Sequence, residues 1–179
     1  EKKVKGIRRN LRESVVIGRT RGGNMRPTWD EYFMGMAHYA SIRSHDSQTK
    51  VGCVIVGSPN VVVGIGYNGF CSGVKEDDLP TTRPDKYPFI VHAEANAISN
   101  LVIKQIDWYR AYITHLPCAS CAKLLWQSGV MEWYVPVGSK AHGETEEDKI
   151  VYDHLIDNGL EITYLDSNIV YNILYNSKE

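Results

Sequence analysis

Two short stretches, His92-Ala93-Glu94 and Pro117-Cys118-Ala119-Ser120-Cys121, decide which fold this chain of 179 residues can adopt. Apolar residues at helical spacing follow the first stretch to about residue 102, and Pro117 opens a second helical pattern that runs to residue 127. The aromatic and β-branched residues of 108–114 predict a strand between them. The stretches therefore predict a helix–strand–helix unit with its most reactive side chains at the two helix N-termini.

The second stretch has the spacing of a metal site. Cysteines at positions i and i+3 of a first helical turn point the same way, so Cys118 and Cys121 can bind one ion. The positive end of the helix dipole stabilises their thiolates. Together with the imidazole of His92, two thiolates suit zinc. Three protein ligands leave the fourth tetrahedral position for water, as in catalytic sites, so we expect one catalytic zinc ion per chain.

Glu94 is the predicted catalytic residue. It is too close to His92 in the sequence to be a comfortable extra ligand. A carboxylate beside the metal can take a proton from water and pass it to a ring nitrogen and then to a leaving amine. The alternative is a structural zinc site with Cys53 or Cys71 as fourth ligand. Cys53 stands in an apolar strand and is expected to be buried, whereas Cys71 remains an open possibility.

Each of the flanking segments carries a pattern of its own. Thr28-Trp29-Asp30-Glu31 is a capping box that predicts a helix start. Gly64 and Gly66, in a valine-rich run, indicate that the backbone there lies close to another part of the molecule or to a ligand. The predicted elements are helices over 28–44, 92–102, 117–127, 145–159 and 167–176, strands over 51–56, 61–67, 108–114, 133–137 and 160–165, and a long loop over 68–90.

This order predicts a three-layer α/β/α fold in one domain, residues 25–179. A mixed five-stranded sheet, largely parallel, is expected to carry helices on both faces, with its first two strands as an antiparallel hairpin. Hydrophobic residues make up 43% and charged residues 23% of the chain, as in ordinary globular proteins. No apolar run approaches the roughly 20 residues of a membrane helix, so no membrane partner is expected.

Charge is distributed unevenly along the chain. Residues 1–24 hold eight Lys/Arg and two Glu, a net charge of +6, and the remaining residues have a net charge of -7. An acidic body is a poor match for a phosphate-backbone track, so no nucleic-acid partner is expected. The basic segment is interpreted as a flexible leader or an added extension, with a nucleic-acid or targeting arm as the alternative. The C-x-x-C pair favours metal chemistry over disulfides and a reducing, cytoplasmic location.

The motif H-x-E…P-C-x-x-C is the recognised signature of zinc deaminases. Residues from about Met25 to Leu165 resemble the deoxycytidylate deaminases of the cytidine deaminase-like superfamily. Gly66-Tyr67-Asn68-Gly69 and the acidic loop ending in Asp77-Asp78-Leu79-Pro80 point to the dCMP branch. The other matching segments are Arg43-Ser44 leading to Val51-Gly52, His92 to Ile98, Tyr112 to Cys118, Cys121-Ala122-Lys123 and Gln127-Ser128-Gly129.

The resemblance implies hydrolytic deamination of dCMP to dUMP and ammonia, feeding thymidylate synthesis. It implies that Asn68 hydrogen-bonds the sugar hydroxyl and that the backbone N–H of Ala93 holds the base carbonyl. The 5′-phosphate would lie near the segment 43–50, with four candidate residues: Arg43, Ser44, Ser47 and Lys50.

The resemblance also implies a homohexamer that dCTP activates and dTTP inhibits, with Mg²⁺ accompanying the triphosphate. Cys71 and Thr81 depart from the family, which often has proline and tryptophan there. Relatives with a second zinc use extra Cys and His residues, of which only Cys71 is present. The effector site would include part of the long loop, namely Gly69, Phe70, Lys75, Glu76, Asp77 and Asp78.

Two other functions fit the zinc motif. One is deamination of a base within RNA or DNA, as in tRNA adenosine deaminases. The acidic body and the 23 residues between Asn68 and His92 count against it. The other is a non-catalytic zinc scaffold that binds a partner, which would have no use for a carboxylate at Glu94.

Overall fold

A computed structural model describes residues 26–102, 109–140 and 145–166. The predicted extension over 1–24 and the predicted helix over 167–176 lie outside the described residues. The helices are α1 (Trp29–Ser41), α2 (Ala93–Ser99), α3 (Ala119–Gln127) and α4 (Glu146–Asp157), and the strands are β1 (Gly52–Gly57), β2 (Val61–Tyr67), β3 (Gly69–Phe70), β4 (Ile90–Val91), β5 (Tyr109–Ile113), β6 (Val130–Pro136) and β7 (Glu161–Leu165). In these ranges no helix has the length and apolar character needed to cross a bilayer.

Five of the strands form one mixed sheet in the order β2-β1-β5-β6-β7. The predicted hairpin is confirmed, because β1 and β2 pair antiparallel. Strand β1 is also antiparallel to β5, whereas β5, β6 and β7 run parallel. Strands β2, β5, β6 and β7 therefore run in one direction and β1 runs against them, so the sheet is mixed and largely parallel, as predicted. The chain passes from β2 over α2 to β5, and β1 lies between these two strands.

Helices cover both faces of this sheet, as predicted. Strand β1 alternates between the layers: Cys53 and Ile55 pack into the cluster that holds α2, α3 and α4, and Val54 and Val56 pack against α1. All six residues of β1 are buried, as expected for a strand covered on both faces. Apolar burial on both faces is the main stabilisation of this sheet.

The boundaries of several elements differ from the predictions. The capping box at Thr28 is present, but α1 ends at Ser41 and not at residue 44. Cys118 is the N-cap of α3, so Pro117 lies just outside the helix that it was expected to open. Strand β6 begins at Val130, three residues before the predicted start. Local patterns predict that an element exists more reliably than where it ends.

The predicted loop over 68–90 is not wholly irregular. Gly69 and Phe70 form β3, which pairs antiparallel with β4 at Val91 and Ile90, and a single 3₁₀ turn precedes β4. These two-residue strands are too short to leave a periodic pattern in the sequence. They bring the two ends of the segment together, with Asn68 before β3 and His92 after β4.

The predicted close approach at the glycines of β2 is confirmed. A Cβ atom at Gly66 would lie 2.3 Å from the carbonyl oxygen of Ala93 and 2.3 Å from the amide nitrogen of Ala97. A Cβ atom at Gly64 would lie 2.5 Å from the carbonyl oxygen of Ala97. Helix α2 therefore rests directly on the backbone of β2. The glycines set the depth of the helix, and the residues at its N-terminus depend on that depth.

We predict that Gly66→Ala lowers the free energy of unfolding by about 1–3 kcal/mol, the usual cost of over-packing, because the backbone of α2 must shift. Gly35→Ala is the control, since nothing lies within 4 Å of a Cβ atom built at Gly35 in α1. Alanine is the better helix former, so the control raises stability by up to about 1 kcal/mol. Urea unfolding compares the midpoints, and a Gly66→Ala midpoint equal to that of the wild type would contradict the packing argument.

Candidate active site

The three predicted metal ligands meet where two helices begin. His92 is the N-cap of α2 and Cys118 is the N-cap of α3, with Cys121 one turn further on. The Nδ1 atom of His92 lies 3.6 Å from the Sγ atom of Cys118 and 3.4 Å from that of Cys121. The ligand atoms of all three residues lie within 4.8 Å of one another. The tertiary structure thus brings together residues that are 26 positions apart in the chain.

These separations fit a tetrahedral zinc ion. With Zn–S bonds of about 2.3 Å and Zn–N bonds of about 2.0 Å, neighbouring nitrogen and sulfur ligands are separated by about 3.5 Å. In the part of the chain that the structure describes, neither Cys53 nor Cys71 joins the cluster. Cys53 is buried within β1, as predicted, and Cys71 is exposed. The donor set is therefore three ligands, the number used by catalytic zinc sites.

The protonation of the cluster favours a bound cation. A hydrogen bond from Cys121, with a further one from His92, lowers the pKa of Cys118 to about 3 despite its burial. The pKa of Cys121 is raised, because its thiol donates to Cys118 and is buried. The hydrogen bond to Cys118 raises the pKa of His92. One thiolate is thus formed in advance, and a metal that binds both sulfurs must displace the proton of Cys121.

Glu94 lies beside this cluster and is 4% exposed. Burial raises the pKa of its carboxyl group, and hydrogen bonding with its own backbone and the charge of His92 only partly offset this. The carboxyl group is within hydrogen-bonding reach of the Cys121 thiol. A carboxyl group with a raised pKa can both accept and donate a proton near neutral pH, which is what a proton shuttle requires.

Helix α4 holds the turn that carries the cysteines. Cys118 has no side-chain cap hydrogen bond of its own, and Asp148 of α4 accepts one from the backbone N–H of Ala119 at 2.7 Å. The hydroxyl of Tyr152 donates to the carbonyl oxygen of Pro117 at 2.7 Å. The N-terminus of α3 is therefore capped by another helix, which leaves the Cys118 side chain available to a metal.

The cluster opens into a cavity of about 490 Å³, within the size range of small-molecule sites. Its wall includes His92 and Cys118, two of the three predicted zinc ligands, together with Glu94, Asn68 and Ala93. The backbone N–H of Ala93, in the first turn of α2, has no acceptor within that helix and can serve a ligand. The remaining lining residues are Asp46, Thr49, Val51, Arg83, Lys86, Tyr87, Ile90, His115, Leu116 and Lys140.

The four residues predicted near the phosphate do not line this cavity. The Lys50 ammonium donates to the carbonyl oxygen of Ser44 at 2.6 Å, and the Ser44 hydroxyl accepts from the backbone N–H of Asp46 at 3.2 Å. The Ser47 hydroxyl lies 3.5 Å from the carbonyl oxygen of Thr81. The Arg43 guanidinium lies 5.9 Å from the centre of the Tyr67 ring.

Other residues of the same segment, and of the long loop, reach the cavity instead. Asp46 and Thr49 line it, as do the cations Arg83, Lys86 and Lys140. Sequence reasoning missed these residues. A loop that folds back across another loop leaves no periodic signal in the sequence.

None of the six residues predicted for the effector site is among the residues that line the cavity. Gly69 and Phe70 form β3, and the His45 ring stacks on Phe70 with centroids 5.8 Å apart. His45 also pairs with Glu76 at 3.1 Å. Lys75, Asp77 and Asp78 are exposed. This segment is therefore joined through β3 to Asn68 and through β4 to His92.

Known proteins resemble this chain in both sequence and structure. The sequence profile described as "Cytidine and deoxycytidylate deaminase zinc-binding region" matches residues 27–137, more than half of the chain. The deoxycytidylate deaminases of Pongo abelii and Homo sapiens are each 40% identical over 124 residues, which cover 66% of this chain and 69% of theirs. The crystal structure of dCMP deaminase from cyanophage S-TIM5 in complex with dCMP and dUMP is similar, with a TM-score of 0.63 and 28% identity over 78% of this chain and 98% of that one. The chain belongs to the family of cytidine and deoxycytidylate deaminases.

Proposed function

We propose that the protein hydrolyses dCMP to dUMP and ammonia. The observation that carries this proposal is a buried carboxylate, Glu94, beside a three-ligand metal cluster that opens into a cavity of about 490 Å³. The likeness to deoxycytidylate deaminases, one of which has been solved with dCMP and dUMP bound, supports cytosine nucleotides as substrates.

His92, Cys118 and Cys121 would hold the zinc ion, which when bound is a Lewis acid that makes water a better nucleophile. Glu94 would accept one proton of the attacking water, whose oxygen bonds to the amine-bearing carbon, and deliver that proton to the neighbouring ring nitrogen. It would then take the proton of the newly added hydroxyl and pass it to the amine, so that the carbon–nitrogen bond breaks, ammonia leaves and a carbonyl group remains. The backbone N–H of Ala93 orients the base through its carbonyl oxygen, and Asn68 binds the sugar. A dry pocket around Glu94 keeps these proton transfers from being lost to solvent.

Arg83 and Lys140 are the candidates for binding the 5′-phosphate. Both line the cavity, and Arg83 is held there because its Nη2 atom donates to the Thr49 hydroxyl at 2.8 Å. A guanidinium suits a phosphate because it can donate two parallel hydrogen bonds. An indirect role in phosphate binding, through the shape of the segment 43–50, is what remains for the four predicted residues Arg43, Ser44, Ser47 and Lys50.

The alternatives are a base deaminase that acts within RNA, such as a tRNA adenosine deaminase, and a non-catalytic zinc scaffold. The segment between β3 and β4 contributes Arg83 and Lys86 to the wall of the cavity. A cavity bounded on this side suits a small nucleotide better than a polynucleotide. Burying the Glu94 carboxyl group costs free energy, and Glu94 is not one of the proposed metal ligands. A non-catalytic scaffold would gain nothing in return for that cost.

We also propose that the enzyme is a cytoplasmic homohexamer whose product feeds thymidylate synthesis. All four cysteines are free, which suits a reducing compartment. Helix α1 and the turn after it expose several large apolar side chains, and such a surface suits contacts between subunits. They are Trp29, Tyr32, Tyr39 and Ile42.

The test of this function is a substrate panel. The protein is incubated with dCMP, deoxycytidine, cytidine, dCTP and a tRNA, and loss of cytosine absorbance and release of ammonia are followed. We expect turnover of dCMP well above that of the nucleosides. Turnover of the tRNA alone would favour the polynucleotide alternative, and no turnover of any substrate by zinc-loaded protein would favour the scaffold.

We predict one zinc ion per chain. Cys118→Ser and Cys121→Ser should lose it, because a hydroxyl is a poor zinc ligand, whereas Cys71→Ser should keep it, because Cys71 is exposed and outside the cluster. Elemental analysis of the purified proteins measures this. Acid should also release the metal, since protons compete for the thiolates. Two zinc ions per chain, or metal retained in Cys121→Ser, would show that the ligand set is wrong.

We predict that Glu94→Gln and Glu94→Ala bind zinc but lose turnover by about 10²–10⁴-fold, the usual contribution of a positioned acid–base group. Glu147→Gln is the control, because Glu147 is exposed and pairs with Lys123 on the surface. Rates with saturating dCMP and zinc contents are compared. A Glu94 variant with a tenth of the wild-type rate would rule out the proton shuttle.

We predict that dCTP with Mg²⁺ raises turnover at low dCMP and that dTTP lowers it. The acidic residues Glu76, Asp77 and Asp78 would hold the cation between protein and phosphates. If dCTP and dTTP favour opposite positions of this segment, each would shift β3 and β4 toward the position that it favours. Such a switch requires that each effector bind one position more tightly than the other. Glu76→Gln should weaken both responses, since Glu76 pairs with His45. Superimposable rate curves with and without effectors would remove the regulatory proposal.

A further inference from the structure

An irregular loop over residues 114–117 leads from β5 to Cys118, where α3 begins. Pro117 and Ala119, the chain neighbours of Cys118, are both buried. Buried backbone groups need hydrogen-bond partners inside the protein, and outside regular secondary structure other segments must supply them. The partners of this turn therefore show what holds Cys118 in place.

Two side chains of α4 bond the peptide groups on either side of Cys118. The hydroxyl of Tyr152 donates at 2.7 Å to the carbonyl oxygen of Pro117, which belongs to the peptide group before Cys118. The Oδ1 atom of Asp148 accepts at 2.7 Å from the backbone N–H of Ala119, which belongs to the peptide group after it. Residues four positions apart share one face of a helix. One face of α4 therefore holds both peptide groups.

These two hydrogen bonds restrict the backbone torsions of Cys118. Its φ of -73° and ψ of 166° are the rotations between the two peptide planes. With both planes held, neither torsion can change without breaking a hydrogen bond, so the direction of the Cα–Cβ bond of Cys118 is fixed. Cys121 lies inside α3 and is held by the helix itself. Cys118 is thus the cysteine whose direction depends on another element.

Helix capping alone does not account for these contacts. The Oδ2 atom of Asp148 completes the capping box of α4 by accepting from the backbone N–H and the hydroxyl of Thr145, at 2.8 and 2.9 Å. The bond from Oδ1 to Ala119 is additional and reaches a different helix. Tyr152 stands in the middle of α4, and its ring packs edge-on against Trp133 with centroids 5.8 Å apart. That packing directs the Tyr152 hydroxyl at the turn.

We propose that Asp148 and Tyr152 are positioning residues for the metal, which hold the Cys118 sulfur in its place beside His92 and Cys121 before any metal binds. The inference rests on the proposed zinc site and not on the identity of the nucleotide. A ligand that is held in advance loses less conformational freedom when the metal binds, so the affinity for the metal is higher. Residues that orient metal ligands typically contribute about 10- to 100-fold in metal affinity.

Tyr152→Phe tests the proposal, because it removes the hydroxyl that bonds Pro117 and keeps the ring. We expect the full-length variant to bind zinc about 10- to 100-fold more weakly than the wild type. Asp148→Asn should have a similar effect, since an amide offers one acceptor oxygen where a carboxylate offers two. The partition of zinc at equilibrium between each protein and a chelator of known zinc affinity measures this.

Tyr112→Phe and Asp30→Asn are the matched controls. The hydroxyl of Tyr112 donates to Asp30 at 2.6 Å, and Tyr112 packs in the cluster that holds α1, on the other face of the sheet. Asp30 stands in the first turn of α1 as Asp148 does in that of α4. The controls lose a hydrogen bond of the same kind and should keep the wild-type zinc affinity. Thermal midpoints of all variants ensure that affinities are compared where each protein is folded.

Cobalt(II) in place of zinc gives a second measurement that reports on the sulfur ligands themselves. Its sulfur-to-metal charge-transfer absorption depends on how well each sulfur orbital is directed at the metal. We expect a weaker or shifted band in Tyr152→Phe and Asp148→Asn, and the wild-type band in both controls. Lower stability alone would reduce the fraction of protein that holds cobalt, but not the spectrum of the occupied site.

Each residue is judged by its own variant, and Tyr152→Phe decides if Asp148→Asn does not fold. Wild-type zinc affinity, weaker binding with an unchanged cobalt band, or an equal loss of affinity in the controls would overturn the positioning role. A wild type that binds no zinc would refute the proposed zinc site and this inference with it. A wild type that binds zinc but leaves dCMP unchanged would refute only the proposed substrate.

Discussion

The meeting of two helix N-termini is the constraint on which the rest of the structure depends. His92 and Cys118 are both N-caps, and neither uses its side chain to cap its own helix. The His92 imidazole and the cysteine sulfurs are thereby left to converge within 3.6 Å. The orphan N–H groups of α3 have to be satisfied from elsewhere, and Asp148 of α4 does so. Each helix must also lie at a fixed depth on the sheet, which for α2 is set by Gly66 beneath Ala93.

Electrostatics at this junction are unfavourable without a cation. A buried Glu94 carboxyl group and two sulfurs stand close together, and Cys118, burial and Glu94 all raise the pKa of Cys121. Two helix dipoles relieve part of this repulsion. A bound zinc ion would relieve more, although two thiolates would cancel its formal charge and make it a weaker Lewis acid than one held by three histidines. Water activation would then need a neighbouring base, which is the role proposed for Glu94.

The long segment between β3 and β4 gives the site its second wall. Lys86 and Arg83 reach from it to the turn after α1, where Asp46 and Thr49 receive them. Because β3 follows Asn68 and β4 precedes His92, a change in this segment would reach both Asn68 and the cluster of His92, Cys118 and Cys121. This side of the cavity is therefore formed between two loops, whereas the helices place the side chains of that cluster.

The sequence by itself determined the elements and the chemistry that local spacing encodes. The capping box at Thr28 depends on neighbours within a few positions and was predicted correctly, as was the close approach at the glycines of β2. The sequence also predicted that His92, Cys118 and Cys121 share one site, and the structure places them in one cluster. The extent of α1 and the start of β6 were not predicted correctly, because residues at element ends take their conformation from what packs on them.

Only the tertiary structure decided which side chains reach the substrate cavity. The segment 43–50 was identified by resemblance, yet Asp46 and Thr49 of that segment line the cavity in place of Lys50 and Ser47. Its partners Arg83 and Lys86 stand more than 30 residues away in the chain. No local pattern encodes the direction in which a loop folds across another loop. That direction follows from burial and ion pairing between distant segments, which exist only once the sheet has brought them together.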